Sequence, residues 1–182
     1  VSAAPEPGSF RIEPAGLEHL AEIADLARLI WRSHYPGIIS PEQIEHMLSW
    51  MYAVEVLRGE LQAGVHFERL LINNVLRGFT AHSHTLDSEW LLHKLYIHPQ
   101  WQRRGLAGRL LEHVGTVARN HHANGLILRV NKLNVRAIAA YERYGFTIRE
   151  SVINDIGDGF VMDDYVMVKS LSSNAAPLQS ST

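Results

Sequence analysis

The chain has no cysteine. That excludes disulfides, thiolate metal sites and a cysteine nucleophile. It also has no surplus of positive charge. Lys+Arg number 17 against Asp+Glu 19, for a formal net charge of -2, which is not the footprint of a nucleic-acid binder. No apolar run reaches the roughly 20 residues needed to span a bilayer, because Arg, Glu, His or Lys interrupts each one. Val1 to Ser9 lacks the basic region and apolar block of a secretory signal. The expectation is a cytoplasmic protein with no nucleic-acid partner and no membrane partner. The sequence shows no internal repeat and no linker within residues 10–170.

What is present fits one globular domain. The chain has 182 residues, 46% of them hydrophobic, enough for a core without staples. Residues 10–170 read as a single domain. Residues 1–9 and 171–182 are small, polar and proline-containing, and read as flexible tails. Phe10 to Glu13 alternates as a short strand. Leu17, Leu20, Ile23, Ala24, Ala27 and Ile30 mark one face of a helix. Pro36-Gly37 breaks the chain. Ser40-Pro41 opens a second helix, with Ser40 as cap and proline at the first helical position. Strands are predicted at His66–Ile72, around Leu76–His84, and at Glu89–Ile97. The last is apolar on both faces near its end, as in a covered central strand. Leu106, Ala107, Leu110, Leu111, Val114 and Val117 trace an amphipathic helix. Gly125–Val130 is a buried-looking strand before a helix capped by Asn134. Phe146–Ile153 and Phe160–Val168 pair as a closing hairpin. The class is mixed α/β, in the order β-α-α-β-β-β-α-β-α-β-β.

Two segments carry chemistry. In the first, the strand Leu95-Tyr96-Ile97 runs through His98-Pro99 into Gln102-Arg103-Arg104-Gly105-Leu106-Ala107-Gly108-Arg109 and a helix. A helix N-terminus offers unpaired N–H groups and the positive end of its dipole, and a tight turn before it can wrap a pyrophosphate. Gly105 permits a conformation that other residues resist and leaves no side chain in a ligand's way. Arg103, Arg104 and Arg109 add positive charge. The pattern lacks the Gly-Lys-Ser/Thr of a Walker A loop and the three spaced glycines of a Rossmann turn. The second segment places Val130, Asn131, Asn134, Ala137, Tyr141 and Gly145-Phe146 in order along a strand, a helix and the start of another strand.

Together, in this order and spacing, the two segments resemble the cofactor half of the GNAT N-acetyltransferase superfamily. The first matches the family's Gln-x-x-Gly-x-Gly/Ala at Gln102, Gly105 and Ala107. The resemblance is strong over residues 89–169 and weaker before that. It implies a central, mostly antiparallel twisted sheet of about seven strands flanked by about four helices, with acetyl-CoA as co-substrate. It implies that backbone N–H groups from Arg103 to Arg109, including Leu106 and Gly108, hold the CoA pyrophosphate. Leu95, Tyr96 and Ile97 would pair with the pantetheine arm like an added strand. Asn131, Asn134, Ala137 and Tyr141 would complete the cofactor contacts. Homodimerisation occurs in the family, but nothing in the sequence specifies an interface.

Direct transfer to a primary amine makes demands on the site. An alkyl ammonium has a pKa around 10.4, so only about one molecule in a thousand is free base at neutral pH, and a base or a pKa-lowering site is required. The tetrahedral oxyanion needs a donor, for which the N–H of Leu95 or Tyr96 is the candidate. The leaving thiolate needs a proton, and the Tyr141 phenol can give one. For the base the sequence leaves Glu89, His93 and His34 open. His82 and His84 share a strand face, but no third ligand completes a metal pattern, and no metal is expected. The acceptor wall falls on Trp31, His34 and Tyr35. With the ending Asp155 to Met167, this segment resembles the bacterial spermidine/spermine N-acetyltransferase branch. Four aspartates there, Asp155, Asp158, Asp163 and Asp164, either receive a polycation or form a solvated acidic hairpin. Two other readings stay open: a protein N-terminal or lysine acetyltransferase, and a non-catalytic acyl-CoA sensor.

Overall fold

The computed structural model describes residues 10–171. Of the segments read as tails, residues 1–9 and 172–182 lie outside the described residues. Strand β1 (Phe10–Pro14) leads through a 3-10 turn at Leu17–His19 into α1 (Leu20–His34), followed by α2 (Pro41–Tyr52) and α3 (Val54–Gln62). Three strands follow, β2 (His66–Ile72), β3 (Val75–His84) and β4 (Glu89–Ile97). Then come α4 (Leu106–Asn120), β5 (Gly125–Asn131), α5 (Val135–Arg143), β6 (Thr147–Asp155) and β7 (Val161–Ser170). All the strands join one seven-stranded sheet in the order β1-β2-β3-β4-β5-β7-β6. The β4–β5 pairing is parallel and the others are antiparallel.

The sequence reading differs from this fold by one helix. Where it has two helices before the central strands, the protein has three, because α3 follows α2 after a single residue. Ala53 takes ψ 139 and breaks the helical path. α3 left a weak signal because only Leu57 in it is buried. Leu171, read as the first tail residue, instead packs into the core at 4% exposure. Its N–H donates to the Asn124 carbonyl at 2.9 Å.

Two layers of helix cover the sheet. α1, α2 and α3 bury Leu20, Ile23, Ile30, Met47, Tyr52 and Leu57 against Phe67, Phe79 and Ala81 of β2 and β3. α4 buries Leu111, Val114 and Ala118 against Trp90, Leu92, Leu126, Leu128 and Met167. It also sets Leu106 and Leu110 against Leu70, Ile72 and Ile97. α5 has no fully buried residue. It lies on the α4 side only through partly covered Ala137, Ile138 and Tyr141, which leaves one of its faces open.

Candidate active site

β4 and β5 pair only from Glu89↔Gly125 to Leu92↔Leu128, although β4 continues to Ile97 and β5 to Asn131. The cause is visible one strand away. Across β3–β4 the register steps from Ala81↔Lys94 to His82↔Leu92, which makes His93 an extra residue on β4. Such a bulge bends its strand, and β4 leaves β5 at this point. Beyond it the β5-facing backbone edge of Lys94–Ile97 has no strand partner. The gap opens a cleft of about 950 Å³.

One wall is the turn into α4. Gly105 adopts φ +75, in the left-handed region that glycine enters at no steric cost. A Cβ built there would meet nothing within 4 Å, so the space beside it is open. No side chain caps α4, whereas Ser40 caps α2 and Asn134 caps α5. The first N–H groups of a helix have no intrahelical partner, so α4 offers donors and its positive dipole end to an anion. Gln102 ties the turn to β4, donating from Nε2 to the Ile97 carbonyl at 3.1 Å. Gln102, Arg103, Gly105, Leu106 and Ala107 line the cleft. The side chains of Arg104 and Arg109 lie over aromatic rings, Trp101 at 4.6 Å and Phe10 at 5.2 Å. Gly108 leaves room for Tyr144, whose hydroxyl would sit 2.6 Å from an added Cβ. These three are not part of the cleft lining.

The open face of α5 supplies a second wall, with Ala137, Ala140, Tyr141 and Tyr144 spaced as one helical stripe. Tyr141 meets Phe146 edge-on, centroids 5.6 Å apart. Burial pushes its phenol up to about 12, so it carries its proton at neutral pH. Asn134 Oδ1 accepts the Ala137 N–H at 3.3 Å and, across the cleft, lies 3.3 Å from His34 Nε2. Because that oxygen is already an acceptor, His34 donates from Nε2. Burial, and to a lesser degree Arg136, lowers the His34 pKa. Asn131 Oδ1 accepts the Leu133 N–H at 2.9 Å and the residue lines the cleft beside Asn134.

The opposite wall is aromatic. Trp31 stacks on Tyr35 at 4.1 Å and 25°, and Tyr52 and Tyr96 stand near it at 5.5 and 6.3 Å. Burial holds the phenols of Tyr35, Tyr52 and Tyr96 above their usual range. Lys94, 2% exposed, binds Glu60 of α3 at 2.7 and 2.6 Å. Burial lowers its pKa, and the Glu60 carboxylate works against that.

The three base candidates end in different places. Glu89 lies outside the cleft lining and accepts from Arg149 Nη1 at 2.7 and 3.0 Å. His93 lines the cleft, with Nε2 2.8 Å from Ser83 Oγ. Desolvation by the surrounding protein, then Lys94, His82 and Arg129, push it down to about 4. His34 is engaged with Asn134 as described. The four aspartates also separate. Asp155 accepts the Gly157 N–H, Asp158 pairs with His46, and Asp163 pairs with Lys132. Asp164 alone of the four lines the cleft, at 1% exposure. Burial first, and then Asp163, push its carboxyl up to about 6, against the opposing pull of Arg129 and Lys132.

Sequence reasoning missed Lys94, Glu60, Tyr52 and the distinct position of Asp164. One signal was available. Lys94 is the third of three buried alternate positions, after Trp90 and Leu92, in a strand covered on both faces, and a lysine buried in such a strand requires a partner.

Comparison with known proteins adds a family. The sequence profile of the acetyltransferase (GNAT) family matches residues 23–146. Spermidine N(1)-acetyltransferase of Thermoplasma acidophilum is 24% identical over 160 residues, covering 85% of this chain and 96% of its own. The crystal structure of PaiA N-acetyltransferase from Thermoplasma acidophilum in complex with coenzyme A has a TM-score of 0.77 at 23% identity, covering 89% of this chain and 99% of that one. The ribosomal-protein-S18-alanine N-acetyltransferase of Escherichia coli has a TM-score of 0.71 at 20% identity, covering 93% and 99%. The structural likenesses establish the fold.

Proposed function

The chain belongs to the GNAT acetyltransferase family and is an acyl-CoA-dependent N-acetyltransferase with acetyl-CoA as co-substrate; we propose that its acceptor is the primary amine of an apolar, cationic chain, a polyamine first among these. The observation that carries this reading is the cleft where β4 and β5 part. It joins an uncapped helix N-terminus at one end to an aromatic box and a buried carboxylate at the other. The first suits a pyrophosphate. The second suits methylenes that end in an ammonium, because aromatic faces attract cations. The spermidine acetyltransferase likeness supports the same choice.

In this reading the N–H groups from Arg103 to Gly108 bind the pyrophosphate, that of Arg109 being already committed to the Gly105 carbonyl at 3.2 Å, and the unpaired edge of Leu95–Ile97 binds the pantetheine arm. The N–H of Leu95 is the donor for the oxyanion formed when the amine attacks the thioester, where a fixed donor has its largest effect on rate; the alternation set by the His98 N–H to the Arg77 carbonyl turns the Tyr96 N–H toward β3 instead. Tyr141 gives its proton to the departing sulfur, and burial keeps that proton in place until the sulfur needs it. Trp31, His34 and Tyr35 flank the incoming amine.

The test is CoA-thiol release from acetyl-CoA against spermidine, spermine, lysine, an N-terminal peptide and an aminoglycoside. Saturable release with a polyamine is expected. Release only with another amine would keep the transfer chemistry and discard the polyamine. Acetyl-CoA binding without release across the panel would turn the reading toward a sensor.

A further inference from the structure

We propose that Asp164 is the group that seats the ammonium of the acceptor and takes its proton. The inference rests on the amine-acetyltransferase reading above and names the base that reading leaves open. Asp164 enters the cleft from β7, opposite Asn131 of β5 in the β5–β7 register, and so stands beyond the point where β4 and β5 have parted. Its carboxylate is buried, and Oδ2 has no hydrogen-bond partner among the described residues. An unpaired buried oxygen is costly to keep, and the residue that carries it lines the cleft. Its neighbours are a mixed set. Arg129 of β5 and Lys132 in the loop after it favour the carboxylate, while Asp163 opposes it. Tyr35, the residue after α1, lies within electrostatic reach of Asp164, Tyr96 and Tyr141 together. The carboxylate therefore sits beside the aromatic box and within the same set of side chains as the proposed acid.

The other carboxylate and imidazoles of the cleft are less well placed, His34 because it is engaged with Asn134 and burial lowers its pKa. Glu60 is committed to Lys94. His93, pushed down to about 4, is a weaker base than a carboxyl near 6. A group close to neutral is the better base at neutral pH, being ionised and still basic. Sheet placement also gives the docked cation a direction: the charged head reaches Asp164, and the chain lies along Trp31, Tyr35 and Met162.

The step balances. The docked ammonium gives one proton to the Asp164 carboxylate, and its lone pair forms the N–C bond to the thioester carbon while the carbonyl π pair moves onto oxygen. Proton transfer and attack proceed together, because the free ammonium is far less acidic than the carboxyl and becomes more acidic as the N–C bond forms. Collapse of the intermediate breaks the C–S bond. The sulfur takes the Tyr141 proton, and the second nitrogen proton passes through solvent to restore the phenol. Asp164 returns its proton to bulk water, so each turnover releases one proton.

The experiment is the pH dependence of kcat/KM for spermidine in the wild type and in Asp164→Asn, with acetyl-CoA affinity measured by calorimetry in both. The wild type is expected to lose activity as pH falls through about 6, when Asp164 protonates, and to stay level above it. In the variant, kcat/KM should fall about 100-fold at pH 7 and rise roughly tenfold per pH unit toward the pKa of the amine, with acetyl-CoA binding retained. A variant within threefold of wild type, with the same acid limb, would overturn the proposal. If spermidine is not turned over, the polyamine reading fails, and whichever amine in the panel releases CoA serves for the same two profiles. A second measurement covers a variant that does not fold and a panel that stays silent. The Asp164 carboxyl carbon is titrated by NMR in the wild-type protein with acetyl-CoA bound. A midpoint near 6 that spermidine lowers supports the proposal; a midpoint near 4 that spermidine does not move overturns it.

Discussion

On the α4–α5 side of the cleft the features that face the cofactor space are mostly backbone: a left-handed glycine, an uncapped helix end and an unpaired strand edge. On the α1–β7 side they are side chains: Trp31, Tyr35, Tyr96 and Asp164, with Tyr52 packed behind them. Backbone recognition is built from neighbours in the chain. It needs a strand, a turn with a small residue and a helix in immediate succession, and that succession is a local pattern. Side-chain recognition has no such constraint. The residues of the aromatic box come from α1, α2 and β4, and Asp164 comes from β7, so no short stretch of sequence contains the acceptor site.

The largest test of this contrast is Gly105→Val. The added Cβ clashes with no protein atom, but φ +75 is hostile to a β-branched residue, and the side chain would occupy the space given to the pyrophosphate. Acetyl-CoA affinity measured by calorimetry should fall by about 100-fold or more, equivalent to roughly 3 kcal/mol. Undiminished binding would remove the turn from cofactor recognition.

Tyr141→Phe asks for a different loss, in turnover and not in binding. It removes a proton donor and keeps the ring that packs on Phe146. We expect kcat to drop about 100-fold with the Kd for acetyl-CoA within about twofold. With the phenol near 12, wild-type activity should show no basic limb from this group below about pH 10. Equal losses in kcat and in cofactor binding would make Tyr141 a packing residue only.

These two predictions mark how far the sequence could be read. Gln102, Gly105 and Ala107, with Asn134, Tyr141 and Gly145-Phe146, pointed to the family because the elements that carry them are contiguous. The strand His66–Ile72 is found with the expected bounds, since its apolar residues are flanked by turn signals. α3 was missed because Gly59 interrupts it and one buried residue cannot set a helical period. Lys94 and Glu60 are 34 positions apart, and their pairing depends on how α3 packs over the sheet. Asp164 looked like its three neighbouring acids. Only the pairing of β7 with β5 turns it into the cleft while Asp155, Asp158 and Asp163 find partners elsewhere.

Asp164 gives a third test, in stability. Its folded pKa is raised to about 6, above the ordinary 3.9 or so of an aspartate. A raised pKa means that the folded state binds the proton more tightly than the unfolded state does. The favourable contribution is complete below about pH 4 and is lost as pH rises through about 6. At pH 8 the wild type therefore carries the cost of a buried charge, and Asp164→Asn removes it. The variant should be more stable by about 1–2 kcal/mol at pH 8, with the difference shrinking toward zero near pH 4. A gain in Tm at pH 8 alongside a loss of turnover would place Asp164 among residues kept for function at a cost in stability. An equal Tm difference at both pH values would show that burial does not shift this carboxyl.

The smallest effects come from two helix caps, one on each side of the cleft. Ser40 Oγ accepts the Gln43 N–H at 3.1 Å, and Asn134 Oδ1 accepts the Ala137 N–H at 3.3 Å. As caps the two are equivalent, and Ser40→Ala and Asn134→Ala should each cost about 1 kcal/mol in denaturant unfolding. Their surroundings differ. Ser40 is exposed, whereas Asn134 is buried at the cleft and also receives His34. Ser40→Ala should leave acetyl-CoA KM unchanged, while Asn134→Ala should raise it severalfold by loosening the start of the helix that carries Tyr141. If both variants lose the same stability and neither changes KM, Asn134 is a cap and nothing more. The cofactor contacts on α5 would then reduce to the stripe of Ala137, Ala140 and Tyr141.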